Sequence, residues 1–254
     1  MDVLKCLLAA REEKSPQVQA LLTCLDDPSF NLQVCICSVG GVGSTQLSNF
    51  LTRAGISCNL LTDQDGVRHV NRPPSQLGPG TCLLYLFGDP LAAVASHYRR
   101  NQAYHQALKT SGNPALDEST FPQTFQEYVS RGKDLFGLQQ HLHHWLHTPT
   151  QCDILFVRYE RMFDLPVAAA LFSHICKSPG ASALHKSEQQ IQAMAAEFSS
   201  LRQQRASRVS AEQRQAMYVQ LAAEVDALPA IFVRGKECHI VPLVAGSSGN
   251  NGSK

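Results

Sequence analysis

The chain has 254 residues, a formal net charge of +1 and 44% hydrophobic content. That is enough apolar material for one sizeable core, and a balance too neutral for charge-driven attraction to nucleic acid or a membrane. Its nine cysteines are scattered, odd in number and without zinc-ligand spacing, which argues against a disulfide scaffold and reads as reduced core thiols of a cytoplasmic protein.

Residues 2 to 25 read as two helices broken near Ser15-Pro16, with Val3, Leu4, Leu7 and Leu8 as a stripe that packs on the domain. The opening apolar run contains Lys5 and is too short to span a bilayer or to act as a signal peptide. Asp26-Asp27-Pro28 turns into the first strand, Val34 to Cys37, where Cys35 and Cys37 share a face. Gly40, Gly41 and Gly43 then crowd a tight turn, and from Ser44 the spacing of Leu47, Phe50 and Leu51 predicts a helix. Such a corner aims free backbone N–H groups and the positive end of a helix dipole at one spot, a setting for phosphate or sulfate. A nucleotide-hydrolase loop would need Lys where Gly43 stands, before Ser44. A dinucleotide loop would need a third glycine where Gln46 stands.

Asn59 to Thr62 reads as a second short strand, followed by the Asp-rich turn Asp63 to Gly66. Residues 67 to 80 are polar and proline-rich, as a loop at the edge of a site would be. His69 there is a candidate general base, because imidazole titrates near neutrality. Cys82 to Phe87 is the clearest buried strand; Asp89 and Pro90 then suit the N-cap and first turn of a helix running to about Leu108, which presents Ser96, Arg99 and Arg100. Further helices are expected over about Phe121 to Val129 and Asp134 to His147. The latter carries His141, His143, His144 and His147 as a surface cluster rather than a metal site.

Asp153 to Arg158 is a further strand, followed by Tyr159-Glu160 and a helix from about Pro166 to Cys176. Leu184 to Arg205 and Ser210 to Ala227 are expected as helices, with Arg202, Arg205 and Arg208 a solvated helix end; Ile231 to Val233 is a last extended piece. Strands alternating with helices predict a three-layer α/β/α fold with a central parallel sheet and extra C-terminal helices, one domain over 1–244 with a disordered tail over 245–254. Ligands of such sheets sit beyond the carboxyl ends of the strands, where the glycine corner, His69, Ser96 and Tyr159 would converge.

The order of these motifs resembles the sulfotransferase family of P-loop NTPase-like proteins, which move a sulfuryl group from 3′-phosphoadenosine 5′-phosphosulfate (PAPS) to a hydroxyl or amine. Gly41-Val42-Gly43-Ser44-Thr45-Gln46 stands in the place of its 5′-phosphosulfate loop. Gly88-Asp89-Pro90 with Ser96 stands in the place of its 3′-phosphate motif. Tyr159-Glu160 matches a strand-end Tyr-Glu whose Tyr approaches the adenine, and Arg234-Gly235-Lys236 resembles a late phosphate contact. The resemblance covers about residues 32 to 177 and implies PAPS as cofactor, with Gly41, Val42, Gly43, Ser44, Thr45, Gln46, Ser96, Tyr159 and Arg234 binding it. His69 stands where the family carries its acceptor-activating base. Two departures stand out: the family's loop lysine is Gly41 here, and its 3′-phosphate arginine is Gly88. Arg68, Arg72, Arg99, Arg100 and Lys236 are the candidate replacement cations. The implied partner is a small-molecule or glycan acceptor, with no nucleic acid and no membrane.

A second, shorter resemblance competes. Residues 38 to 55, with Asp63, Asp65, Asn71 and Arg72, look like the adenylating domain of ubiquitin-activating-type enzymes, but nothing after residue 72 fits it. A third reading, motivated by the two missing cations, is a non-catalytic interaction protein on the same fold.

Overall fold

The computed structural model describes residues 32–59, 68–74, 80–180, 186–202 and 209–244. The helices expected over 2–25, the tail, most of the strand expected at 59–62, Asp63, Asp65, Arg205 and Arg208 lie outside the described residues. One mixed sheet has the order β1 (Val34–Ser38), β2 (Cys82–Phe87), β3 (Ile154–Arg158), β4 (Ile231–Arg234), β5 (Ile240–Pro242). The first three strands are parallel. Every residue of β1 and β2 is buried, which is why both read as unbroken apolar runs rather than alternating ones.

The wholly parallel sheet expected from the sequence is corrected at β4, which runs antiparallel to β3, as β5 does to β4. The physical reason is where the chain arrives. Arg158 N–H at the carboxyl end of β3 donates to Ala230 O just ahead of β4, so β4 starts at that rim and must run back down. The tight turn at Gly235 then permits only an antiparallel return, which makes β5.

Between the strands lie α1 (Ser44–Arg53), α2 (Pro90–Arg99), α3 (Ala103–Ser111), α4 (Phe125–Arg131), α5 (Leu138–His147) and α6 (Leu165–Lys177). After β3 and α6 follow α7 (Glu188–Ser200), α8 (Ala211–Ala216) and α9 (Val219–Ala227). Two helices expected to be continuous are broken. The one from Pro90 stops where Asn101 takes φ 54, and the Arg100 and Asn101 amides fold back onto His97 and Tyr98 carbonyls. The one from Ser210 stops at Tyr218, φ 62, whose hydroxyl is drawn inward to Asp134 Oδ1 at 2.6 Å. Neither break has a proline or glycine to announce it.

Aromatic side chains lock the layers together. Tyr85 on β2 stacks on Trp145 of α5 at 4.6 Å and bonds to His141 Nδ1 at 3.0 Å. Phe50, Phe172 and Phe198 join α1, α6 and α7. The thiols of Cys58 and Cys82 are pushed up to about 12, first by burial, so they remain protonated and inert.

The edge of β1 away from β2 holds the next piece of chain. Val34 N–H donates to Ser57 O, Cys58 makes a parallel bridge to Val34, and Asn59 caps Ile36 on both its N–H and C=O. The chain therefore leaves β1 through α1 to one side and returns as β2 on the other. A crevice opens at such a reversal, beyond the carboxyl ends of the strands.

Candidate functional site

Two strand-to-helix corners meet at that crevice. In the first, between β1 and α1, Gly40, Gly41 and Gly43 take φ 77, 72 and 77, a left-handed conformation that side chains resist. Space demands glycine there as well. A Cβ on Gly41 would lie 2.7 Å from Ala93 O of α2, and one on Gly43 would lie 2.7 Å from the Tyr159 ring. Gly43 is also the N-cap of α1 and supplies no side-chain acceptor. The Gly40 amide is taken by Ser38 Oγ at 3.1 Å, and Leu47 N–H by Gly43 O. Among the described residues, the amides of Gly41 through Gln46 have no protein acceptor. They form a concave row of donors at the positive end of a ten-residue helix.

The corner rests on His97 and Gln106, whose side-chain nitrogens both reach Val39 O at 3.3 Å. Arg100 donates to His97 Nδ1 at 3.0 Å, so Nε2 carries the proton given to Val39. Burial first, then Arg100, holds this imidazole down to about 3, and it is neutral at physiological pH.

In the second corner, between β2 and α2, two donors of the turn are taken by carboxylates. Asp89 accepts from Ala92 N–H at 2.9 Å as N-cap, and Glu160 Oε1 accepts from Asp89 N–H at 2.8 Å. The Glu160 carboxylate lies against Gly88; a Cβ there would meet Oε1 at 2.7 Å. Burial raises the Glu160 carboxyl, opposed by Arg158 behind it. Asp89 pairs with Arg214.

The two corners face one cavity of about 1320 Å³. Of the sequence-predicted residues, Gly41, Val42, Thr45, Gln46, Ser96 and Tyr159 line it. Gly43 and Ser44 lie just beneath, Gly43 under Tyr159 and Ser44 buried. Arg53, Arg99 and Arg202 bring cations to the wall, and Tyr98, Phe125 and Phe163 bring aromatic surface. Arg99 donates to Ser96 Oγ at 3.2 Å and Arg202 to Asp164 Oδ1 at 2.8 Å. Sequence reasoning missed Arg53 and read Arg202 as a solvated end. Arg53 had a signal: Thr45, Asn49 and Arg53 are four apart, on the helix face opposite Leu47 and Leu51.

Two further predicted residues lie away from this cavity. His69 stands on the edge of β1 away from β2, half-buried, where its Nδ1–H donates to Ser38 O at 2.8 Å. That bond leaves Nε2 the basic nitrogen of the neutral ring. Arg234 pairs with Ile154 at the start of β3, so the reversal of β4 carries it to the opposite end of the sheet. Its buried guanidinium donates to Thr148 O at 2.7 Å and Thr150 Oγ1 at 2.9 Å. As a phosphate contact of this cavity Arg234 is corrected, and its turn neighbour Lys236 goes with it.

The other candidate cations are committed elsewhere or absent from the wall: Arg68 is buried and donates to Asn59 O, and Arg100 holds His97 and Ser96 O. Asn71, central to the adenylating resemblance, packs against Gly112, and neither it nor Arg72 lines the cavity. The histidine cluster of α5 is corrected in part: His141 is buried, His143 bonds Glu224 at 2.9 Å, and His144 bonds Asn71 O. Among the described residues no group of three or more His, Cys, Asp or Glu could hold a metal ion, and no helix is long and apolar enough to cross a membrane. In comparisons with known proteins, no family model, no curated protein and no solved structure matches this chain.

Proposed function

We propose that this protein is sulfotransferase-like: it binds the 5′-phosphosulfate end of an adenine nucleotide at the glycine corner and passes the sulfuryl group to a hydroxyl or amine. PAPS is the donor that the motif resemblance implies, on a three-layer, P-loop NTPase-like scaffold. One observation carries the reading. Six residues picked from the motif order, spread from Gly41 to Tyr159, line a single cavity at the carboxyl rim, beside a row of uncommitted amides.

The chemistry follows from those parts. Sulfuryl transfer, like phosphoryl transfer, is served mainly by positioning and charge neutralisation. The α1 amides meet the anion, and Arg53, Arg99 and Arg202 bring positive charge to the wall. Tyr98, Phe125, Tyr159 and Phe163 offer stacking surface for a base. His69 is the base that the resemblance implies: it would take the acceptor's proton while the S–O bond to the nucleotide breaks and the new S–O or S–N bond forms.

Thermal denaturation with desulfated nucleotides tests the reading. Adenosine 5′-phosphate or adenosine 3′,5′-bisphosphate at millimolar concentration should raise Tm by several degrees, about 2.7 kcal/mol at a hundredfold excess over Kd. ATP with magnesium should shift it no further, for want of a loop lysine. No shift with either desulfated nucleotide rejects the reading. For the base, His69→Ala should abolish sulfuryl transfer while sparing nucleotide binding; undiminished transfer rejects that assignment.

A further inference from the structure

The two corners differ in sign, and the difference bears on which nucleotide fits. Adjacent strands are about 5 Å apart. A group cradled at the end of β1 therefore stands roughly 5–10 Å from the ends of β2 and β3, where Asp89 and Glu160 lie on the cavity wall. The cations that balance these acids, Arg214 and Arg158, are not among the lining residues. At these two strand ends the charged residues that line the cavity are acids.

Gly88 makes this arrangement possible. With no side chain at that position, the Glu160 carboxylate fills the slot against the β2 end, fixed by Asp89 N–H at 2.8 Å. Its other oxygen, Oε2, has one long side-chain contact, 3.4 Å to Arg158 Nε. A carboxylate accepts hydrogen bonds and does not donate them. It welcomes a hydroxyl and repels a phosphate, the logic by which an acid in nucleotide sites recognises ribose hydroxyls.

We infer that the cavity selects a nucleoside 5′-phosphate or 5′-phosphosulfate whose ribose 3′-hydroxyl is free, with Glu160 Oε2 accepting from the ribose and discriminating against a 3′-phosphate. This rests on the nucleotide reading above and changes its donor: adenosine 5′-phosphosulfate in place of the 3′-phosphorylated form that the resemblance implies.

Calorimetric titration of the full chain with adenosine 5′-phosphate and with adenosine 3′,5′-bisphosphate tests it. The monophosphate should bind at least about tenfold more tightly, the scale of one charged hydrogen bond. Glu160→Gln should shrink that ratio to near one, by weakening the monophosphate and admitting the bisphosphate. Gly88→Ala, which displaces the carboxylate rather than removing it, should shrink it too and serves if the first variant does not fold. Tighter binding of the bisphosphate, or a ratio unchanged in the folded variant, overturns the inference and leaves the nucleotide reading standing. Binding of neither compound overturns both.

Discussion

The β1–α1 and β2–α2 corners are built to one plan: a buried parallel strand, a turn and a ten-residue helix whose first amides face the same cavity. They are finished in opposite ways. The α1 corner is capped by Gly43 and keeps its donors for something from outside. The α2 corner is capped by Asp89, starts on Pro90, which has no donor to satisfy, and receives Glu160 from β3. A helix N-terminus thus becomes a ligand site by omission of a side-chain cap, and a neighbouring one is closed by supplying carboxylates internally. Experiments that swap these finishes test the comparison most directly.

The largest effect is expected at Gly41. Both Gly41 and Gly55 hold positive φ, 72 and 79, but a Cβ on Gly41 meets Ala93 O at 2.7 Å while one on Gly55 meets nothing within 4 Å. Gly55→Ala therefore carries conformational strain alone, about 1 kcal/mol. Gly41→Ala adds a clash with the backbone of α2 and should cost about 2–4 kcal/mol. Urea unfolding of the two variants checks this. Equal losses would mean that α2 yields to the new methyl, and that the corners are not locked together.

Acid should loosen the glycine corner next. His97 is held down to about 3 in the folded chain, against 6.5 for an ordinary imidazole. Between those values the unfolded chain binds the proton and the folded chain does not. Its contribution is complete above about pH 6.5 and is lost as pH falls toward 3, on the order of 1 kcal/mol per pH unit. Unfolding followed from pH 7 to 4 should fall more steeply in the wild type than in His97→Asn, and parallel curves would contradict it. Asp89→Ala, on the closed corner, should cost about 1 kcal/mol through the lost cap. Urea unfolding measures that loss, and an undiminished stability would mean that the cap contributes nothing to the closed corner.

Much of the frame was legible in the residues. CLLYLF and DILFVR stand out because strands buried on both faces must be apolar throughout, and three glycines before Ser44 mark a bend that side chains cannot make. Part of what was hidden depends on partners far away in sequence. The helix break at Tyr218 goes with a long-range hydrogen bond to Asp134, and the one at Asn101 with local backbone turns back onto His97 and Tyr98; neither has a breaker residue. The three-residue strand Ile240–Pro242 is exposed, very short and ends on a proline, which argues against a strand even within the apolar run Ile240 to Val244. Arg234 looked like a phosphate ligand because Arg234-Gly235-Lys236 resembles a late phosphate contact, and three residues carry no information on strand direction. A reversed strand exchanges the two ends of the sheet for everything on it.

The smallest expected effect separates the two sources of attraction at the open corner. Donated amides act at contact and are screened little, whereas an exposed arginine acts through solvent and is screened strongly. Arg53 is exposed, two helical turns beyond Thr45, and holds its guanidinium 5.9 Å over the Phe50 ring. Arg53→Ala should weaken nucleotide binding only about twofold at low salt, and the difference should vanish near 0.5 M salt, where the Debye length falls to about 4 Å. The affinity that survives at high salt then belongs to the amide row of α1. If Arg53→Ala instead abolished binding at every ionic strength, the arginines rather than the uncapped helix would be the anion's main hold, and the contrast between the two corners would lose its explanatory weight.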